Sequence, residues 1–170
     1  MTEPDAPLSF QHARGMTRIV PPGTSRSWWQ PKPANGYAEV VLSPRNIRSV
    51  QPFSFGTQAV PPQGSVRLHA HDGGEEVLYV LRGRGTAIVD GVAHPMEPGT
   101  TLYLGHNCSH TFVNDGTEEM AWAWFFLPGG LDDFFEQIGR PRMAGQEPPA
   151  PFERPGNVEA IERATVFAQR

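Results

Sequence analysis

The chain has 170 residues, enough to bury a sizeable core, with 38% hydrophobic and 19% charged residues and a formal net charge of −4, the balance of a globular protein. No block of Lys or Arg is present, which argues against nucleic-acid binding because phosphate contacts need clustered basic groups. No apolar run approaches the roughly 20 residues of a membrane-spanning helix. The single cysteine, Cys108, excludes an intrachain disulfide and fits a reducing compartment. The acidic start MTEPDAPLSF lacks the basic-then-apolar order of a secretory leader, so the expected location is cytoplasmic.

Eighteen glycines and eighteen prolines favour short strands and turns over long helices. Residues 1 to about 18, including His12, read as a loosely ordered N-terminal arm. SWWQPKP (27–33) is too proline-rich for a central strand, and its tandem Trp28–Trp29 is expected to cover apolar surface at a barrel mouth or subunit interface. AEVVL (38–42) and FSF (53–55) are short strand candidates. The pattern then becomes cleaner, with strands expected over 65–71, 76–83, 85–91, 100–105, 110–114 and 120–127. VDG before VAH is a tight-hairpin signal, and EPG (97–99) and NDG (114–116) are further turns. Such even spacing indicates an antiparallel sandwich or barrel. After Pro128 the character changes. Leu131, Phe134, Phe135 and Ile138 form one stripe of a helix over 129–139, with Asp132 and Asp133 in its first turn and Gly139 as its stop. Its phenylalanines are expected to pack on the outside of the barrel. Residues 142–156 read as loop, and 157–170 as a short final helix capped by Asn157.

The most informative stretch is HAHDGGEEVLYVLRG, His69 to Gly83. Side chains at i and i+2 share a strand face, so His69 and His71 can address one ion. The turn Asp72-Gly73-Gly74 brings Glu76 back beside them, and His110 arrives on a later strand. Three imidazoles and one carboxylate suit one divalent transition metal per chain, with Fe, Ni, Mn, Co, Cu and Zn not distinguished. Four protein ligands leave one or two positions open at a five- or six-coordinate ion, where water, dioxygen or a substrate oxygen binds.

Strand parity extends this reading. Arg67 shares the face of His69 and His71. Leu78 and Val80 share the face of Glu76, while Glu75 points the other way into solvent. Phe112 and Asn114 share the face of His110. Tyr103 shares a face with Thr101 and Gly105. Met120, Trp122, Trp124 and Phe126 form one face of the last strand, on a side that parity alone leaves open. The possible pocket residues are therefore Arg67, Leu78, Tyr103, Phe112, Trp122 and Trp124. Cys108, His94 and His106 are expected to stay off the metal.

These residues resemble the cupin superfamily. Its first motif is matched by Gly64, His69, His71, Glu76 and Gly83, with Gly64 one residue closer to the first His than is common. Its second motif is matched from Gly91 through Gly99 to His110 and Asn114, with His106 or Asn107 where a proline is usual. The resemblance implies an all-β double-stranded β-helix, a cupin jelly-roll barrel, over about 36–128. The N-terminal arm and a helical extension over 129–170 complete a single cupin domain over 1–170, commonly part of a homodimer. A narrower resemblance, through NCSH before the fourth ligand strand and PGGLDDFFEQIGRP after the last, is to bacterial single-domain proteins similar to quercetin 2,3-dioxygenases. It implies opening of a flavonol ring with dioxygen, with His69, His71, Glu76 and His110 as metal ligands and Glu76 as acceptor of the flavonol hydroxyl proton.

The expected activity is a metal-dependent dioxygenase acting on a phenolic or enolic aromatic molecule. Its partners are that small molecule and dioxygen, and Glu76 is its catalytic base. An isomerase, lyase or decarboxylase could use the same site without oxygen. A non-catalytic binding protein is the alternative outside enzymes.

Overall fold

The computed structural model describes residues 15–168. Most of the expected N-terminal arm, with His12, and residues 169–170 of the expected last helix lie outside the described residues. In chain order the strands are β1 (Arg26–Trp29), β2 (Tyr37–Leu42), β3 (Ser54–Val60), β4 (Ser65–His69), β5 (Glu75–Arg82), β6 (Gly85–Val89) and β7 (Val92–Met96). They continue with β8 (Thr101–Leu104), β9 (His110–Val113), β10 (Met120–Leu127) and β11 (Arg140–Pro141). Two helices, α1 (Leu131–Ile138) and α2 (Val158–Arg163), lie in the C-terminal part.

The strands form an all-β, double-stranded β-helix core of two antiparallel sheets. One has the order β11-β1-β2-β3-β10-β5-β8 and the other β4-β9-β6-β7. The closed barrel expected from the sequence is not formed among the described residues, because no strand pairing joins the two sheets. They are held face to face by side chains, such as Phe112 of β9 against Trp122 of β10 with ring centroids 5.4 Å apart.

Period-2 alternation explains which residues build this core. Glu76, Leu78 and Val80 of β5 point inward and Glu75, Val77, Tyr79 and Leu81 outward. Met120, Trp122, Trp124 and Phe126 of β10 are all fully buried, which fixes the side that the sequence left open. Strand β10 sits between β3 and β5, so its aromatic face supplies the centre of the core.

Two readings change at the chain's edges. The tandem tryptophans form a strand between β2 and β11, and both are buried. Pro31 and Pro33 follow that strand and so remove no ladder hydrogen bond. Strand β7 was not expected, because VAHPM alternates poorly and contains Pro95. It is tolerated as the edge of the smaller sheet, with four of its five residues exposed. It is reached through the anticipated hairpin, whose turn residues Asp90 and Gly91 have φ of 48° and 82°, as a type I′ turn requires.

Helix α1 buries Leu131, Phe134, Phe135 and Ile138, the expected stripe. The stripe is not packed on the outside of the sheets, however. Phe135 meets Trp124 at 5.5 Å and Phe134 meets Phe167 at 4.2 Å between ring centroids, so the helix covers the end of the sandwich where the histidines lie. Asn157 occupies the N-cap of α2, but its side chain makes no capping hydrogen bond. Beyond α2 the chain returns to β4: Phe167 bridges His71, and the Ala168 amide donates to the Ala70 carbonyl at 2.9 Å. No helix among the described residues is long and apolar enough to cross a membrane.

The turn before β5 depends on one glycine. A Cβ on Gly74 would lie 2.6 Å from the Phe126 ring and collide with the Leu127 carbonyl, whereas one on Gly73 would meet nothing closer than 3.9 Å. Gly74→Ala is therefore expected to cost about 2 kcal/mol through overpacking, lowering the melting temperature by several degrees, while Gly73→Ala leaves it nearly unchanged. Thermal denaturation of the two variants side by side checks this, and equal melting temperatures would refute it.

Candidate metal centre

The three histidines converge because of a strand irregularity. The pairing of β4 with β9 shifts between Val66 and His69, which sets His69 directly opposite His110. His71 lies just past the end of β4, held by its bridge to Phe167. The ring centroids are 4.1 Å apart for His69–His110, 4.9 Å for His69–His71 and 5.3 Å for His71–His110. All three are buried, and their ligand atoms lie within 4.8 Å of one another. Glu76 enters from the opposing sheet, 5% exposed. Its Oε2 lies 3.6 Å from His71 Nε2 and 3.7 Å from His110 Nε2. Those separations are too long for hydrogen bonds. They are close to the roughly 3–3.6 Å between donor atoms each about 2.1 Å from a shared ion.

Hydrogen bonding fixes what each ring presents. The Nδ1 atoms face the carbonyls of Arg67 at 2.7 Å (His69), Val166 at 3.1 Å (His71) and Cys108 at 2.8 Å (His110). A carbonyl only accepts, so each Nδ1 carries the proton and donates it, leaving the Nε2 lone pair for the site. Nε2 of His71 and of His110 are buried with no hydrogen-bond partner. Burial holds His69 well below the ordinary histidine pKa, reinforced by neighbouring His110 and His71. Burial also lowers His110, opposed by the Glu76 carboxylate. Nε2 atoms turned toward one point and Nδ1 atoms anchored on backbone carbonyls are the arrangement a transition metal requires. The residues fit a divalent ion, and His69, His71 and His110 form a facial metal-binding triad.

An inner cavity of about 60 Å³ adjoins the triad. It touches His69, His71 and Glu76, and its apolar wall includes Phe112, Phe134, Phe135 and Phe167. A larger, outer cleft of about 850 Å³ shares part of its lining with this cavity. Arg67, His69, Arg154 and Phe167 border both spaces.

Of the expected pocket residues, Arg67 and Phe112 line the inner cavity. Leu78, Trp122 and Trp124 are fully buried in the core and do not line it, because they lie deeper along their strands than Glu76 and Phe126. Tyr103 is not a pocket residue. Strand β8 buries Leu104 and turns Tyr103 outward, 65% exposed, where a hydrogen bond to Glu75 raises its pKa. His94 and His106 are exposed, and Cys108 serves the centre through its backbone carbonyl. Phe134, Phe135, Arg154, Glu162 and Phe167 were not foreseen at the site. The one available signal was the adjacent apolar pair Val166–Phe167 in the C-terminal segment.

Comparison with known proteins agrees with this layout. Residues 56–126 match the family model described as Cupin domain, which takes in His69, His71, Glu76, His110 and most of the core strands. An oxalate-binding protein of Thermotoga maritima is 32% identical over 66 residues, 39% of this chain and 54% of that protein. The chain spans 54% and 60% of the length of two curated relatives it matches. Among solved structures, a predicted oxalate decarboxylase of Thermotoga maritima aligns with a TM-score of 0.56 at 23% identity, covering 64% of this chain and 97% of that one. The polyketide cyclase RemF of Streptomyces resistomycificus aligns with a TM-score of 0.57 at 18% identity, covering 65% and 79%. These structures share the fold. Residues 56–126 thus resemble a cupin domain, and neither these relatives nor these structures single out quercetin dioxygenases.

Two outcomes follow from the centre. The unfolded chain takes up protons on His69 and His110 near the ordinary value of about 6.5, while the folded protein resists this. Stability of chelator-treated protein is therefore complete above about pH 6.5 and falls as the pH drops below it, by at most ~1.4 kcal/mol per pH unit for each such proton. Melting temperatures between about pH 8 and 5 check this, and a flat profile would contradict it. Ending the chain after Thr165 removes the carbonyl that fixes His71. Zinc affinity, read by competition with a chromophoric chelator, is expected to fall roughly 10- to 100-fold. Unchanged affinity would show that Val166 does not orient the ligand.

Proposed function

We propose that the protein is a metal-dependent enzyme, in its leading form a dioxygenase acting on a phenolic or enolic aromatic molecule. The observation that carries this reading is the buried triad of imidazoles with Glu76 beside it at the end of a phenylalanine-lined cavity. His69, His71 and His110 hold the ion, and Glu76 is proposed as a fourth ligand and as the base. A bound divalent ion supplies Lewis acidity that favours the deprotonated form of a substrate hydroxyl.

The protein's own groups do the rest. Glu76 receives the hydroxyl proton at a carboxylate oxygen, a transfer worth typically 10²–10⁴ in rate. Phe112, Phe134, Phe135 and Phe167 exclude water and hold the ring and dioxygen close together. The inner cavity, at about 60 Å³, has room for only a few water molecules. A flavonol-sized molecule would therefore need this cavity to widen.

That same small volume favours a second reading. An oxygen-independent isomerase, lyase or decarboxylase would act there on a smaller molecule, for which the oxalate-binding relative offers a small-carboxylate precedent. Oxygen uptake by metal-loaded protein with a panel of flavonols and catechols separates the two. The dioxygenase reading expects consumption matched to substrate loss and none without oxygen, whereas anaerobic turnover favours the second. Glu76→Gln is expected to lower turnover at least 100-fold, and full turnover in that variant would remove Glu76 as base.

A further inference from the structure

Two arginines meet one carboxylate where the inner cavity borders the outer cleft. Arg67 belongs to β4, two residues before His69, and Arg154 to the loop preceding α2. Each donates from Nη2 to the same atom, Oε1 of Glu162 on α2. The side chains are 24% exposed for Arg67, 25% for Arg154 and 20% for Glu162. Arg67 also donates to the Leu68 carbonyl at 3.2 Å and lies 5.2 Å from the centroid of Phe167.

Both arginines of this ion pair border the same cavity as His69, His71 and Glu76. Guanidinium forks match carboxylates in shape and charge, and here a carboxylate already sits between two of them. The helix that brings it is short: α2 spans six residues and buries only Ile161, its firm anchors being Val166, Phe167 and Ala168 beyond it. Movement of α2 withdraws Glu162 and leaves a pair of guanidiniums beside the triad, where a ligand carboxylate takes over the same donors.

We propose that Arg67 and Arg154 form a carboxylate subsite for the substrate, and that Glu162 occupies it until the substrate displaces it. The substrate is then a phenolic or enolic carboxylic acid, with its hydroxyl toward the histidines and its carboxylate on the arginine pair. This deepens the function proposed above and rests on it. It also assigns the C-terminal segment a role in selection, because an uncharged competitor has nothing to exchange for Glu162.

The test compares benzoate with its uncharged isostere benzamide by calorimetry, using manganese-loaded wild type, Glu162→Gln and the double variant Glu162→Gln with Arg154→Gln. Glu162→Gln should tighten benzoate about tenfold and leave benzamide unchanged, and the double variant should lose the gain. Equal tightening of both probes, or no change for benzoate, would overturn the proposal and reduce Glu162 to a latch for α2. In the wild type, benzoate but not benzamide should speed trypsin cleavage after Arg163, a readout that needs no variant to fold. Absence of that difference also counts against it. Metal stoichiometry on the same samples judges the triad separately. One bound ion without charge-selective binding rejects the arginine subsite alone, whereas no bound ion rejects the metal reading.

Discussion

Three imidazoles buried around one point are the constraint on which this structure turns. Water-facing histidines cost a fold nothing, but these have lost their water, and two Nε2 atoms have gained no hydrogen bond in return. Leaving such groups unsatisfied costs about 1–3 kcal/mol each, and a carboxylate buried among them adds its own desolvation. A divalent cation answers these demands together. The centre also joins the layers, since His69 and His110 belong to the smaller sheet and Glu76 to the larger. Where no strand pairing closes a barrel, shared coordination would link the sheets at that end, alongside the aromatic contacts of the core.

Much of this was legible in the sequence because it depends on local periodicity. The His69–His71 spacing, the parity that buries Glu76 and exposes Glu75, and the stripe of α1 each follow from geometry over a few residues. Parity left open the side taken by Met120, Trp122, Trp124 and Phe126, because only the neighbours β3 and β5 decide which face of β10 is the core. Tyr103 and Phe112 show the same limit. Both lie near the ligands in sequence, yet one faces solvent and the other the cavity, and the outcome depends on which sheet each strand joins.

What the sequence did not show is long-range. Phe134 and Phe135 were legible as a buried stripe but not as a cavity wall, since their partner Phe167 lies beyond a proline-rich loop with no periodicity of its own. Arg154 and Glu162 look like ordinary surface charges on a polar tail. They matter because the tail crosses back to β4, an event governed by a two-residue backbone contact and one aromatic side chain. Short irregular segments carry little pattern, and here they decide the size and charge of the space beside the metal.

The hydrogen bond from His71 to the Val166 carbonyl spans 95 positions. During synthesis His69, Glu76 and His110 can come together while that carbonyl has yet to be made. His71 obtains the acceptor that fixes its tautomer only after the chain has emerged past residue 166. The orientation of His71 thus depends on the chain extending through Val166, and a nascent or clipped chain short of it would lack that hold on the ring.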